Sequence, residues 1–97
     1  MNKKKYHMEN IEKMFSRKGR VCLNCGRRAT QAAHAIPQRV AEIEKYGWLV
    51  VHHWNNLMPA CCLDCNAALQ VAREFWPAVA QETMEIMILE ESNDKQY

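Results

Sequence analysis

Ninety-seven residues suit a single domain, and a chain this short buries only about 60–70% of its unfolded surface, so its core needs a disulfide, a metal or a partner chain to help it. No apolar run approaches the roughly 20 residues that span a bilayer, and the charged stretch from Met1 to Lys5 has no apolar segment behind it. Membrane insertion and secretion are therefore not expected, and the expected compartment is cytoplasmic. The net charge of +2 hides a split. Residues 1–31 carry nine Lys or Arg against Glu9 and Glu12, whereas from residue 81 onward Glu82, Glu85, Glu90, Glu91 and Asp94 face only Lys95. A basic first third is the footprint that attracts phosphate backbones; an acidic tail serves solubility or self-masking.

Taken in chain order, residues 6–18 place Tyr6, Ile11, Met14, Phe15 and Lys18 near helical spacing, and Gly19 follows as a stop. The expected organisation is one domain over 1–97: a basic N-terminal helix in 1–20, a metal-stapled core in 21–76, and a C-terminal helix with an acidic tail in 77–97. Val21 to Gly26 reads as a zinc knuckle, with Cys22 and Cys25 two residues apart and Gly26 supplying the positive φ of the turn. Ala29 to Ile36 reads as a short strand or extended approach ending before Pro37, with His34 near its end. Residues 38–46 read as a short helix closed by Gly47, Trp48 to His52 as an apolar, β-branched strand, and Asn55-Asn56 as a turn. Cys62 to Trp76 is expected to be one helix burying Leu63, Ala67, Val71 and Phe75 or Trp76, ended by Pro77. Residues 78–91 form a further helix with Val79, Thr83, Ile86 and Leu89 or Glu90 in step, and the last six residues fray.

Five cysteines in a chain of a reducing compartment point to metal ligation over disulfides. Two Cys-x-x-Cys pairs, Cys22 with Cys25 and Cys62 with Cys65, fill the tetrahedral shell of one Zn²⁺ and leave no open position, so the ion is structural. Either Cys61 or Cys62 can join Cys65. Cys62 repeats the spacing of the first pair and is preferred, which leaves Cys61 as a packed thiol.

Between and across the knuckles stand Ala33-His34-Ala35-Ile36-Pro37 and the run from Asn56 through Leu57, Pro59 and Cys61 to Cys65-Asn66. A Cys-x-x-Cys-Gly, then His-x-Ile-Pro, then Asn-Leu-x-Pro-x-Cys, then a closing Cys-x-x-Cys-Asn resembles the HNH endonuclease family in its zinc-bearing form. The resemblance covers about residues 21–70. It implies an α+β chain with a treble-clef or ββα-metal (His-Me finger) core and metal-dependent hydrolysis of phosphodiester bonds in DNA; small stand-alone members are often borne by phages or mobile elements. By the same resemblance His34 matches the general base, Asn56 the residue that braces the loop under it, and Asn66 the last position, which ligates Mg²⁺ or a similar ion. Imidazole chemistry suits the first role, since a group with a pKa of about 6.5 can take a proton from water at neutral pH. Arg27, Arg28 and Arg39 are candidates to position the phosphate backbone.

Two positions depart from the family. The residue before the base, usually Asp or His and a metal ligand, is Ala33, and no Lys follows Asn66 closely. The pair His52 and His53 offers a replacement ligand, and His53 is taken as that ligand. The alternative for the pair is that one ring packs on Trp54 while the other faces solvent. The rival functions are a degenerate relative that keeps the zinc-stapled scaffold and binds nucleic acid or a protein, and an adaptor that dimerises through the helix of residues 78–91.

Overall fold

The first helix is set by its ends. In the computed structural model, which describes residues 2–94, α1 spans Lys3–Lys18; the Asn2 side chain accepts from the Lys5 N–H at 3.0 Å, and the Gly19 N–H closes the last turn on the Phe15 carbonyl at 2.9 Å. Gly19 takes a φ of 85°, a value glycine adopts without strain. Arg17 and Lys18 sit in the last turn, where the helix dipole favours cations. The Met14 and Phe15 side is buried, as the spacing predicts.

Two short strands form the centre. β1 (Gln31–His34) pairs antiparallel with β2 (Leu57–Ala60), Gln31 opposite Ala60 and His34 opposite Leu57. Because side chains alternate along a strand, this ribbon has two distinct faces. Ala32 and Leu57 turn toward α1 and join Met14, Phe15 and Ala29; Ala33 and Ala60 turn the other way and join Cys22 and Cys65. A third cluster of Ile36, Val50, Val51, Trp76 and Ala80 lies beyond the hairpin ends.

Between the strands run α2 (Val40–Tyr46), α3 (Trp48–Val51) and a 3-10 turn at Trp54–Asn56. The apolar run from Trp48 is thus one turn of helix and not the expected strand. A helical turn satisfies the backbone locally: the His52 N–H reaches the Trp48 carbonyl at 3.1 Å while Val50 and Val51 enter the core.

After β2, α4 covers only Leu63–Ala68, and the chain breaks before a second 3-10 turn at Arg73–Phe75 and the long α5, Trp76–Asp94. The single helix expected over 62–76 is therefore two pieces. Of its expected buried face, Trp76 is buried and Val71 packs against the core, while Leu63 is 77% exposed and Phe75 57%; Cys65 is buried in α4 instead. Pro77 begins α5 instead of ending its predecessor, since its missing N–H costs nothing in a helix's first turn. On α5, Ala80 and Thr83 are buried and Leu89 is exposed. Glu90 turns inward, accepting from the Trp54 indole N–H at 3.1 Å and lying 2.7 Å from His53 Nε2. Of the six terminal residues expected to fray, Lys95–Tyr97 lie outside the described residues, and Asp94 ends α5. Among the described residues no helix is long and apolar enough to cross a membrane.

Candidate functional site

The hairpin carries one cluster of metal-ligating side chains on each face. On the α4 face, Cys22 and Cys25 come from a tight turn built by backbone alone. The Cys22 N–H donates to the Arg27 carbonyl at 2.7 Å, the Gly26 N–H returns to the Cys22 carbonyl at 2.9 Å, and Gly26 has a φ of 83°. The Leu23 N–H docks this knuckle on the Pro59 carbonyl at 3.1 Å. The second half is the end of β2 and the first turn of α4.

The thiols that converge are those of Cys22, Cys25, Cys61 and Cys65, all within 4.8 Å of one another. Cys25 Sγ lies 3.3 Å from Cys61 Sγ, and Cys61 Sγ 3.6 Å from Cys65 Sγ. Tetrahedral zinc with bonds near 2.3 Å requires about 3.8 Å between sulfurs, so the quartet fits such an ion with a slight expansion. The quartet includes Cys61 where the spacing preferred Cys62; Cys62, the N-cap of α4, places its Sγ 3.6 Å from Cys61 Sγ. Cys61 stands in the bend between β2 and α4 and Cys65 in the first turn of α4, and this path brings the two sulfurs together.

Electrostatics divide the crowded sulfurs: the Cys65 backbone N–H, then contacts with the Cys61 and Cys65 thiols, lower Cys62. Burial pushes the Cys22 thiol up, but the Cys25 and Asn24 backbone N–H groups outweigh it and hold the group at about 6. Cys61 is pushed up, first by its contact with Cys25 and then by burial and its other sulfur neighbours. Four crowded sulfurs cannot all ionise without a cation among them, and a metal ion supplies that charge. The Asn24 side chain adds an N–H donor to Cys65 Sγ at 3.3 Å, an outer-shell contact that spacing did not reveal.

Ala33 belongs to this face and is 0% exposed, packed with Cys22, Ala60 and Cys65. Asn66 is here too; its side-chain amide donates to the Gln31 side-chain oxygen at 3.3 Å and to the Ala32 carbonyl at 3.4 Å, tying α4 to the start of β1. His34 stands at the other end of β1 and on the opposite face. The hairpin therefore does not bring His34 and Asn66 together as the resemblance implies.

On the α1 face, the rings of His7, His34 and His52 meet. Their centroids are 4.7 Å apart for His7 and His52, 5.3 Å for His34 and His52 and 5.9 Å for His7 and His34, and one nitrogen from each lies within 4.8 Å of the others. Nε2 of His7 and Nε2 of His34 are buried with no hydrogen-bond partner. Leaving such an atom unsatisfied costs about 1–3 kcal/mol, so two side by side call for a reason. His34 is held at about 4, first by burial and then by the charges of His52 and His7; burial likewise lowers His7 and His52. All three rings are neutral at pH 7 and offer lone pairs.

Asn56 holds the base of this group. It is 0% exposed; its side-chain oxygen accepts from the Ile36 N–H at 2.8 Å, and its amide donates to the Ile36 and Val51 carbonyls at 3.0 and 2.7 Å. Its backbone carbonyl accepts from the Ala35 N–H at 2.9 Å. The segment that carries His34 and the turn that carries His52 are thereby locked together.

His53, the ligand expected from the sequence, is otherwise engaged. Its Nε2 faces Glu90, its Nδ1 accepts from the Asn55 N–H at 3.0 Å, and its place near the trio is taken by His52. Arg27, Arg28 and Arg39 are all exposed, the first two just past the knuckle and the third at the start of α2. Sequence reasoning missed His7 altogether, since a single His on an amphipathic helix carries no spacing signal. Compared with protein-family models, curated proteins and solved structures, the chain finds no match in any of the three.

Proposed function

We propose that the chain is an HNH-type endonuclease module: a treble-clef, ββα-metal domain stapled by structural zinc that hydrolyses phosphodiester bonds in DNA at His34. The observation that carries this reading is the Asn56 brace, which fixes the end of the hairpin so that His34 offers a neutral, unpartnered ring nitrogen. A neutral imidazole in a fixed position can serve such hydrolysis either as a base toward water or as a ligand to an ion. A divalent ion, when bound, supplies charge stabilisation at the phosphate. Arg27 and Arg28, exposed beside the knuckle, hold the backbone electrostatically.

A second reading is favoured by Ala33 and Asn66. The position of the family's other protein ligand is a methyl group inside the thiol cluster, and Asn66 is bound to β1 away from His34. On this reading the scaffold binds nucleic acid without cutting it.

One experiment separates them. Zinc-loaded protein is incubated with supercoiled plasmid and Mg²⁺, Mn²⁺ or Ni²⁺ in turn, and nicked and linear products are measured. Nuclease activity predicts nicking that falls about 100-fold or more in His34→Ala, in line with the loss of a general base or an essential ligand. Inactivity with every ion, alongside salt-sensitive DNA binding that Arg27→Ala with Arg28→Ala weakens, assigns the binding module instead.

A further inference from the structure

We propose that His7, His34 and His52 form a second metal site, separate from the thiol cluster, that takes one divalent transition ion such as Zn²⁺, Co²⁺ or Ni²⁺. Three elements contribute: α1 gives His7, the end of β1 gives His34, and the residue closing α3 gives His52. One ring nitrogen from each lies within 4.8 Å of the other two, and tetrahedral coordination at bonds near 2.0–2.1 Å needs about 3.4 Å between them, so a small inward movement completes the site.

The unpartnered atoms argue for an ion over simple ring packing. Nε2 of His7 and Nε2 of His34 are both closed off from solvent and bond nothing. The third ring is oriented from outside. His52 Nδ1 lies 3.1 Å from the Trp48 carbonyl and Nε2 lies 3.2 Å from the Gln38 side-chain oxygen. A neutral imidazole carries one N–H, so whichever oxygen it serves, the other nitrogen keeps a lone pair. Donation to Trp48 leaves Nε2 free, the arrangement in which a backbone carbonyl fixes the tautomer of a ligating histidine. Stacking on the Trp48 indole at 4.2 Å holds the ring plane.

Donor chemistry narrows the ion. Imidazole donors suit Zn²⁺, Ni²⁺ and Cu²⁺, whereas Mg²⁺ prefers oxygen, so Mg²⁺ does not compete. Three protein ligands also leave one position open, the arrangement of a catalytic rather than a structural centre.

The site rests on the nuclease reading only for its purpose. With an ion on Nε2, His34 serves that reading as a ligand to the ion. The site would supply the ligand that Ala33 lacks, through a helix outside the motif.

The test starts from protein carrying one equivalent of zinc at its thiols, into which Co²⁺ is titrated while visible absorption and heat are followed. One further equivalent should bind, with a d–d band of nitrogen and oxygen ligation and no new thiolate charge-transfer absorption. His7→Ala and His52→Gln should each weaken it about 100-fold or more, and excess Mg²⁺ should not displace it. Failure to bind a further equivalent, binding that shows only thiolate bands, or affinity unchanged in both variants overturns the site. Plasmid nicking by protein that binds no second ion would leave the nuclease reading standing without this site. A second ion bound by protein that never nicks would do the reverse.

Discussion

The two faces of the hairpin gather ligands by different means. On the α4 face, four thiols come from two short local segments, each shaped by its own turn or helix start. On the α1 face, three imidazoles arrive from elements up to 45 positions apart and meet only because α1 packs across the ribbon. Each thiol pair is shaped locally, so an ion bound there would tie together two segments that the core alone holds weakly. The histidine cluster is a consequence: its rings converge once the core has packed. Loss of metal should accordingly be catastrophic on one face and mild on the other.

The largest expected effect tests that contrast directly. Structural zinc in small domains contributes about 10–16 kcal/mol of binding free energy, far more than a core of this size holds in reserve. Removing zinc with a chelator should abolish the cooperative thermal transition and most of the helical circular dichroism. Cys61→Ser should do the same, while Cys62→Ser should leave zinc stoichiometry at one and the melting temperature nearly unchanged. If Cys62→Ser loses zinc and Cys61→Ser keeps it, the assignment of the fourth ligand is reversed. His7→Ala should leave the fold intact, because His7 is only half-buried.

An intermediate effect is expected at Asn56, which braces the end of the hairpin under the histidine face. Asn56→Ala strands the Ile36 N–H and the Ile36 and Val51 carbonyls in the core, three groups whose lost bonds sum to about 2–5 kcal/mol. Urea denaturation of the zinc-loaded protein should show a fall of this size. Zinc content should stay at one, since no Asn56 contact touches a thiol. A loss of zinc in this variant would mean that the faces are coupled and not independent.

How much of this was legible follows from the same division. The knuckle at Cys22 to Gly26, the end of α1 at Gly19 and the closure of α2 by Gly47 could be read because each is decided within a few residues. Where tertiary pairing decides, reading failed. The β-branched run at Trp48 coils into a helical turn that puts Val50 and Val51 in the core, and Leu63 points to solvent because α4 turns Cys65 inward. At the site, Cys61 and Cys62 are equally good ligands in isolation, and only the path of β2 into α4 selects between them. His53 looked as available as His52 until α5 brought Glu90 against it. Nothing in the sequence marks His7, whose meaning depends on which strand α1 crosses.

The smallest expected effect is acid sensitivity, and it reports on the histidine face in the folded protein. Burial is the leading cause lowering His7, His34, His52 and His53, with His34 at about 4, and Glu90 only partly offsets it for His53. A histidine held below its ordinary 6.5 takes up fewer protons folded than unfolded as pH falls, so the unfolded chain gains protons first. The stability these rings allow is therefore fully present above pH 6.5 and is lost as pH drops toward 4. Glu90 is also lowered, because its bonds to His53 and Trp54 outweigh burial, and its contribution is lost only below the ordinary carboxylate range. With zinc at the thiols and no second ion, the melting temperature should fall by a few degrees between pH 7.5 and 5.5, and less steeply in His34→Gln. A flat profile would mean the rings are better solvated than their buried nitrogens imply.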